Sequence, residues 1–409
     1  MNPRLDALHA YPFEKLDAVK ATLTMRTNAA HVALSLGEPK HAAPAFVIEA
    51  LADPARIARS LGTYPPTRGS EDLRNAIADW ATVRYGLQAG SLDAKRHVLP
   101  VNGTREALFS FAQAVIDPAE GAVVVMPNPF YQIYEGAALL AGALPYYVPC
   151  TEERRFLPDF EAVPDEVWAR TRMVYICSPG NPTGAVMDLA SLRALIERAD
   201  AFDFVIASDE CYSEIYMDEG APPAGLLQAC ASMGRHDYRR CVVFHSLSKR
   251  SNLPGLRSGF VAGDADVLAR YYQYRTYHGC AMAANVGEAS ALAWRDEAHV
   301  VANRDVYREK FERVLAIFDG VLDVAAPDAS FYLWPRTPIP EVEFAARLFA
   351  EEHVTVLPGS FLSRATLRHD AALGSAPDPG AHRVRMALVA GLDECVEAAQ
   401  RVRRFVERL

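Results

Sequence analysis

Lys249 lies between Ser246 and Ser248 on one side and Arg250 and Arg257 on the other, directly after an apolar run at 241–244. That run reads as a buried strand. A lysine at the carboxyl end of a buried strand is stripped of water, which disfavours its charged form and frees the amine as a nucleophile. Ser246, Ser248 and Arg257 offer hydroxyl and guanidinium donors to a phosphate placed beside it. Pro254 and Gly255 break regular structure between the lysine and Arg257. A nucleophilic amine with its own anion site is what a Schiff base to pyridoxal phosphate requires. The competing reading is a solvated surface, which is all that most Lys–Arg pairs near loops amount to.

Two other apolar runs end in residues able to do chemistry. Ser178-Pro179-Gly180-Asn181-Pro182-Thr183-Gly184 pins an asparagine between prolines, and Ser208-Asp209-Glu210-Cys211-Tyr212 sets an acid three residues before a phenol. Alone, Asp209 reads as a helix cap and Asn181 as a turn residue. The three groups in this order, each at a strand end, rarely coincide by chance. Asn102-Gly103-Thr104-Arg105 is a glycine turn opening a helix, whose free N–H groups and dipole suit an anion, although many such turns look alike. Tyr64, held stiffly before Pro65 and Pro66, is either a rigid phosphate-binding phenol or a half-buried surface tyrosine. Gly37, in Ser35-Leu36-Gly37-Glu38-Pro39-Lys40-His41, permits close backbone approach to a ligand or simply makes a loop. No metal site is expected, because neither a CxxC pair nor a histidine cluster is present.

Strand and helix patterns must position these groups. Helical spacing covers 45–61 and 71–85; strands are expected at 97–101, 122–126, 144–148, 172–177, 204–208, 241–244 and 259–262. Helices at 106–116, 131–141 and 189–200 fall between them. Such alternation implies an α/β fold with a mostly parallel sheet covered on both faces, with ligands at the carboxyl ends of the strands. No GxGxxG opens a helix after a strand, which disfavours a dinucleotide fold. The opening arm, with Leu5, Leu8, Tyr11, Phe13 and Leu16, ends in a short helix and packs on its own core or on a partner subunit. Residues 288–318 read as one long connecting helix or two in succession. A smaller α+β lobe follows, with strands at 330–334, 354–357 and 383–389 and a closing helix at 394–409. The segment 364–382, rich in Ala, Gly, Pro and Asp, reads as a mobile loop.

A chain of 409 residues, half of them apolar, can bury a large core in about two or three domains. A net charge of −9 without a basic stripe gives no reason to expect nucleic acid. Seven singly placed cysteines argue for free thiols in a reducing compartment. The first sixteen residues lack the apolar core of a secretory signal, and no run approaches the ~18 apolar residues of a membrane span. A cytoplasmic protein that does not enter the membrane is expected.

With Asn-Pro-x-Gly, Asp-x-x-Tyr and Ser-x-Ser-Lys followed eight residues later by arginine, the chain resembles the class I/II aminotransferases of pyridoxal phosphate fold type I. The likeness runs from the Gly37-Glu38-Pro39 turn to Arg385. Leu8-His9-Ala10-Tyr11-Pro12-Phe13-Glu14-Lys15-Leu16, Gly37 to His41, and Pro127-Asn128-Pro129-Phe130-Tyr131-Gln132-Ile133-Tyr134-Glu135-Gly136 resemble the N-succinyl-diaminopimelate aminotransferases of bacterial lysine biosynthesis.

The resemblance implies a large cofactor-binding domain at 45–287 with a seven-stranded sheet. It also implies an arm at 1–44, a connecting helix at 288–320 and a small domain at 321–409. Lys249 would bind the cofactor as an imine and shuttle the proton, Asp209 would face the pyridine nitrogen, and Tyr212 and Asn181 would bond the ring's phenolic oxygen. Tyr131, where many relatives have tryptophan, would stack on the ring, with Cys211 beneath the other face. Gly103, the Thr104 and Arg105 N–H groups, Ser246, Ser248 and Arg257 would hold the phosphate, joined by Tyr64 from the second subunit of a homodimer with shared active sites.

Arg385 would clamp the substrate α-carboxylate, with Gly37 and Asn181 beside it. Arg383 lies two residues away on the same face by strand alternation, and a surface role for one of the two arginines is the simpler reading. Lys40, and after it Arg68, Arg26 or Lys15, are candidates for the distal part of a substrate with extra carboxylates. The implied reaction moves an amino group between glutamate or 2-oxoglutarate and N-succinyl-2-amino-6-oxopimelate. The alternatives are aspartate, alanine or aromatic substrates, a carbon–sulfur lyase, and a non-catalytic cofactor-binding regulator.

Overall fold

In the computed structural model, residues 1–118, 121–367, 375–376 and 378–409 are described. Near-continuous apolar runs make strands buried on both faces. Seven of them form one sheet in the order Val98–Val101, Gly259–Gly263, Cys241–Ser246, Val205–Asp209, Thr171–Cys177, Val123–Asn128 and Leu144–Pro149. Gly259–Gly263 alone runs against the rest; it pairs antiparallel with both neighbours, while the others pair in parallel. Residues alternate between two apolar layers: Val123 and Val125 join one core, Val124 and Met126 the other. This is the mostly parallel seven-stranded α/β sheet that the resemblance implies.

The strands that end in candidate residues are neighbours, and their ends are in register, with Cys177 opposite Asp209 and Asp209 opposite Phe244. The helix Glu71–Tyr85 forms where expected. Ser70 accepts a hydrogen bond from the Leu73 N–H at its start, and Gly86 ends it in the left-handed conformation at φ 60°.

Two expected helices resolve differently. The segment 45–61 is two helices, Ala45–Ala52 and Pro54–Leu61, because Pro54 cannot continue the first and Asp53 caps the second through the Ala55 and Arg56 N–H groups. Of the two forms expected for 288–318, the chain takes two helices, Ala284–Arg295 and Ala298–Phe318, with the Asp296 carboxylate accepting the His299 N–H at the junction.

A third apolar core gathers Val32 and Leu34 from the start of the chain with Phe311, Leu333, Leu348, Met386 and Phe405 from its end. The stretch expected as one strand at 354–357 is split between two sheets. Val354–Thr355 pairs in parallel with Val32–Ala33, and Leu357–Pro358 pairs antiparallel with Val384–Ala387. The arm forms a short 3-10 turn, Pro3–Ala7, and the helix Pro12–Ala21, whose Leu16 packs with Trp334, Leu357 and Leu362 of the same chain. Of the loop expected at 364–382, residues 368–374 and 377 lie outside the described residues, and Thr366–Leu367 pairs with Ser375–Ala376.

Candidate active site

At the carboxyl ends of the central strands a cavity of about 470 Å³ opens between the sheet, the Gly37 turn and the strand that carries Arg385. Lys249 enters it from the short helix Leu247–Arg250, immediately after the strand Cys241–Ser246. Its Nζ donates to the Gly37 carbonyl at 2.6 Å. Burial pushes the amine down to about 8, with the Arg385 and Arg257 charges adding to the effect. The neutral, nucleophilic form is therefore far more populated at mildly alkaline pH than in an exposed lysine.

Asp209, buried at its strand end, accepts from the Tyr134 hydroxyl at 2.7 Å and the Cys211 N–H at 3.3 Å. Burial raises its pKa, and these hydrogen bonds oppose that rise. A cationic partner brought into the cavity restores the ionised form. Tyr134 stacks on Tyr175 at 4.6 Å, which fixes the hydroxyl that orients the acid. Tyr212 is buried with its hydroxyl 3.0 Å from that of Tyr332.

One end of the cavity is built for an anion. The helix Thr104–Val115 starts there with no side-chain cap, behind Gly103 at φ 82°. A Cβ on Gly103 would stand 2.3 Å from Arg257 Nη2, so only glycine lets the guanidinium close in. Arg257 is braced by the Pro254 carbonyl at 2.9 Å, and Ser246 Oγ donates to Ser248 Oγ at 2.9 Å. The helix start at Thr104, the Arg257 guanidinium and the two serine hydroxyls line the same cavity, a set suited to a phosphate.

The other end suits a carboxylate. Arg385 donates to Asn181 Oδ1 at 2.9 Å and to the Ser35 carbonyl at 2.7 Å, and its buried Nε has no partner. Neither arginine of this strand is at the surface as expected for one of them; Arg383 is buried too and donates to the Trp334 carbonyl at 2.9 Å and to Glu152 at 2.8 Å.

Gly37, Thr104, Arg105, Tyr131, Asn181, Asp209, Cys211, Tyr212, Ser246, Ser248, Lys249, Arg257 and Arg385 all line this cavity. Tyr64 does not; its side chain is fully exposed. Lys40 is exposed too, and its charge acts on His31 and Cys395. Arg68 is held by the Lys95 carbonyl and the Tyr272 ring, Arg26 pairs with Glu351, and Lys15 lies over Phe361. None of these four cations lines the cavity. Sequence reasoning missed Tyr134 and Tyr332. A helical reading of Tyr131-Gln132-Ile133-Tyr134 sets two phenols on one face and gives a signal for the first. Tyr332, within an ordinary apolar strand, gives none.

The family model for Aminotransferase class I and II matches residues 30–401. The chain belongs to that family. The aminotransferase depends on pyridoxal phosphate, and its residues fit the group: an uncapped helix start with Arg257 for the phosphate, a depressed lysine for the aldehyde and a buried acid for the ring. It is 33% identical to the LL-diaminopimelate aminotransferase of Nitratidesulfovibrio vulgaris over 362 residues, 87% of this chain and 90% of that one. Against the protein of the same name from Aquifex aeolicus it is 30% identical, covering 98% of each.

Among solved structures, an aminotransferase from Neisseria meningitidis superposes with a TM-score of 0.91 at 45% identity, over 99% of this chain and all of that one. A probable N-succinyldiaminopimelate aminotransferase from Thermus thermophilus gives 0.81 at 27%, over 96% and 99%. Among the described residues of the aminotransferase, no helix is long and apolar enough to cross a membrane, and no three His, Cys, Asp or Glu residues are placed to hold a metal ion.

Proposed function

We propose that this aminotransferase moves an amino group between glutamate and N-succinyl-2-amino-6-oxopimelate, the step that makes succinylated diaminopimelate for lysine biosynthesis. The observation that carries the reading is a fourth cation in the cavity. Lys249, Arg257 and Arg385 have the cofactor aldehyde, the phosphate and the α-carboxylate to serve. Arg105 lines the same space with its guanidinium 5.4 Å over the Tyr11 ring, available to a further carboxylate. The names borne by relatives point to the same substrate class.

Pyridoxal phosphate, when bound, supplies the electron sink for negative charge at the substrate α-carbon. The residues do the rest. Ser246, Ser248, Arg257 and the N–H groups of Thr104 and Arg105 grip the phosphate. Asp209, oriented by Tyr134, holds a proton on the ring nitrogen. Tyr212 and Asn181 bind the phenolic oxygen, while Tyr131 and Cys211 flank the ring faces. Arg385 forks onto the α-carboxylate through its unpartnered Nε, with Gly37 beside it. Lys249 would bind the cofactor aldehyde and, once freed, would carry the proton between the substrate α-carbon and the cofactor carbon two bonds away.

Tyr64, exposed in one chain, reaches the phosphate of a second copy in a homodimer. Residues 45–287 form the cofactor domain, joined through 288–320 to a small domain made from 1–44 and 321–409. The enzyme works in the cytoplasm.

A second reading, unacylated LL-diaminopimelate as substrate, is favoured by the names of the curated relatives and by Glu38, which lines the cavity and could receive a distal ammonium. The test offers 2-oxoglutarate with either N-succinyl-LL-diaminopimelate or LL-diaminopimelate and follows glutamate formed. A kcat/KM about tenfold or more in favour of the succinylated donor supports the first reading. The reverse preference replaces it with the second, and turnover of neither retires both.

A further inference from the structure

Tyr332 has no role so far, yet it touches three residues that do. Its hydroxyl is 3.0 Å from the Tyr212 hydroxyl. The Arg385 guanidinium lies over its ring, 4.5 Å from the centroid. A Cβ on Gly37 would come within 2.0 Å of the Tyr332 hydroxyl, so the phenol occupies space that only a glycine leaves open. The carbonyl of that glycine is the one that receives Lys249 Nζ.

The placement is fixed from two directions. Tyr332 opposes Ala387 on the strand that carries Arg385. Just before it, the Ser330 N–H donates to the Ile215 carbonyl at 2.7 Å, and Ala329 forms an antiparallel bridge with Tyr216. The strand behind the carboxylate clamp is thereby stitched to the loop that follows Tyr212.

Each phenol has one proton, and two phenols at this distance share one hydrogen bond. If Tyr212 spent its proton on Tyr332, it would show only lone pairs to an anionic oxygen in the cavity. If Tyr332 donates instead, the Tyr212 proton is free to point inward. The cation over the Tyr332 ring is held in either case.

We propose that Tyr332 is a positioning residue whose hydroxyl donates to Tyr212, turning the Tyr212 proton toward the cofactor's phenolic oxygen while its ring supports Arg385. The carboxylate clamp and the phenol facing the cofactor are then one unit. The inference rests on the roles given above to Tyr212 and Arg385.

Tyr332→Phe keeps the ring and removes the donor. A donor to the phenolic oxygen matters most when the neighbouring nitrogen carries no positive charge, so its loss makes the Lys249-bound cofactor hold its proton to higher pH. The pH midpoint of the visible absorption band should rise by about half a unit, less than in Tyr212→Phe. In a Tyr212→Phe background the second substitution should add nothing. Maleate binding, read from the same band, should change by less than about threefold in Tyr332→Phe and weaken about tenfold in Tyr332→Leu, which lacks the aromatic support.

An unmoved midpoint in Tyr332→Phe, or a shift fully additive with that of Tyr212→Phe, overturns the proposal. Should Tyr332→Leu fail to fold, the phenylalanine variants still decide. Wild-type protein that takes up pyridoxal phosphate without a visible band refutes the Lys249 assignment, and this proposal with it.

Discussion

Two lysines in this chain feel the same physical pressure and differ in everything else. Burial pushes both Lys249 and Lys310 down to about 8. Lys249 opens onto a cavity with a carboxylate, an anion cradle and an arginine fork on its walls. Lys310 is buried on the helix Ala298–Phe318, 2.5 Å from His41 Nε2 and 3.1 Å from the Leu388 carbonyl. A chain of hydrogen bonds joins them, from His41 Nδ1 to Asn303 Oδ1 at 2.9 Å and from Asn303 Nδ2 to the Lys249 carbonyl at 3.3 Å. A depressed lysine is therefore not a site in itself; access and a partner for the reaction make it one.

The strongest way to break this contrast is to remove each amine in turn. Lys249→Ala should lower kcat by about four orders of magnitude or more, since nucleophile and proton carrier go together. Lys310→Met should leave kcat within about threefold. Borohydride reduction followed by peptide mass analysis should find the cofactor on Lys249 in the wild type and on the same residue in Lys310→Met. An adduct on Lys310, or an active Lys249→Ala, would erase the distinction.

Adjacent acids repeat the contrast on a smaller scale. Asp209 faces the cavity. Glu210 points to the other side of the sheet, where it meets His245 at 3.1 Å and accepts from Tyr85 at 3.0 Å and Ser208 at 2.9 Å. Burial works against the Glu210 carboxylate, but the His245 hydrogen bond and charge win and hold its pKa below the usual range. Asp209→Asn should cost about 10²- to 10³-fold in kcat with stability nearly unchanged. Glu210→Gln should cost about 2 kcal/mol of stability and little in the Km of either substrate. Steady-state kinetics beside chemical denaturation separates the two, and exchanged effects would reverse the assignment.

The arginine pair on one strand gives a third and milder test. Arg385→Lys loses the planar fork and should raise KM for amino donors about tenfold, whatever their side chains. Arg383→Lys, bonded to Glu152 and the Trp334 carbonyl, should leave KM within about twofold. Equal KM effects would mean that the strand as a whole, and not the fork, matters.

What could be read in the chain beforehand follows the range of the interactions. Lys249, Asp209 and Asn181 were legible because each sits where an apolar run stops, and a parallel sheet brings such ends together whatever the loops between them do. The break at Asp53-Pro54 was equally local, and the helical spacing across 45–61 hid it. Tyr332 was not legible. Its partner Tyr212 is 120 residues away, and nothing in a Phe-Tyr-Leu-Trp run says which phenol will meet another. Lys40 lies outside the cavity because a turn next to Gly37 does not fix where its side chain points, and the loop leaves it exposed.

The smallest expected effect concerns stability and isolates Lys310. In the unfolded chain a lysine titrates near 10.4, while in the fold Lys310 titrates at about 8. Below the lower value both states carry the proton, and the penalty for burying the charge is constant. Between the two values only the unfolded chain carries it, so stability rises with pH by at most about 1.4 kcal/mol per unit. Lys249 titrates in the same window, which makes the wild type report both amines. Lys310→Met fills the same space without a titrating group, although it leaves His41 Nε2 short of a donor. Urea unfolding of the cofactor-free proteins at pH about 8 and about 10 should therefore show the wild type gaining about 1–2 kcal/mol more than Lys310→Met. Equal gains would mean that Lys310 keeps its proton in the fold, and that burial sets the two lysines apart more than it makes them alike.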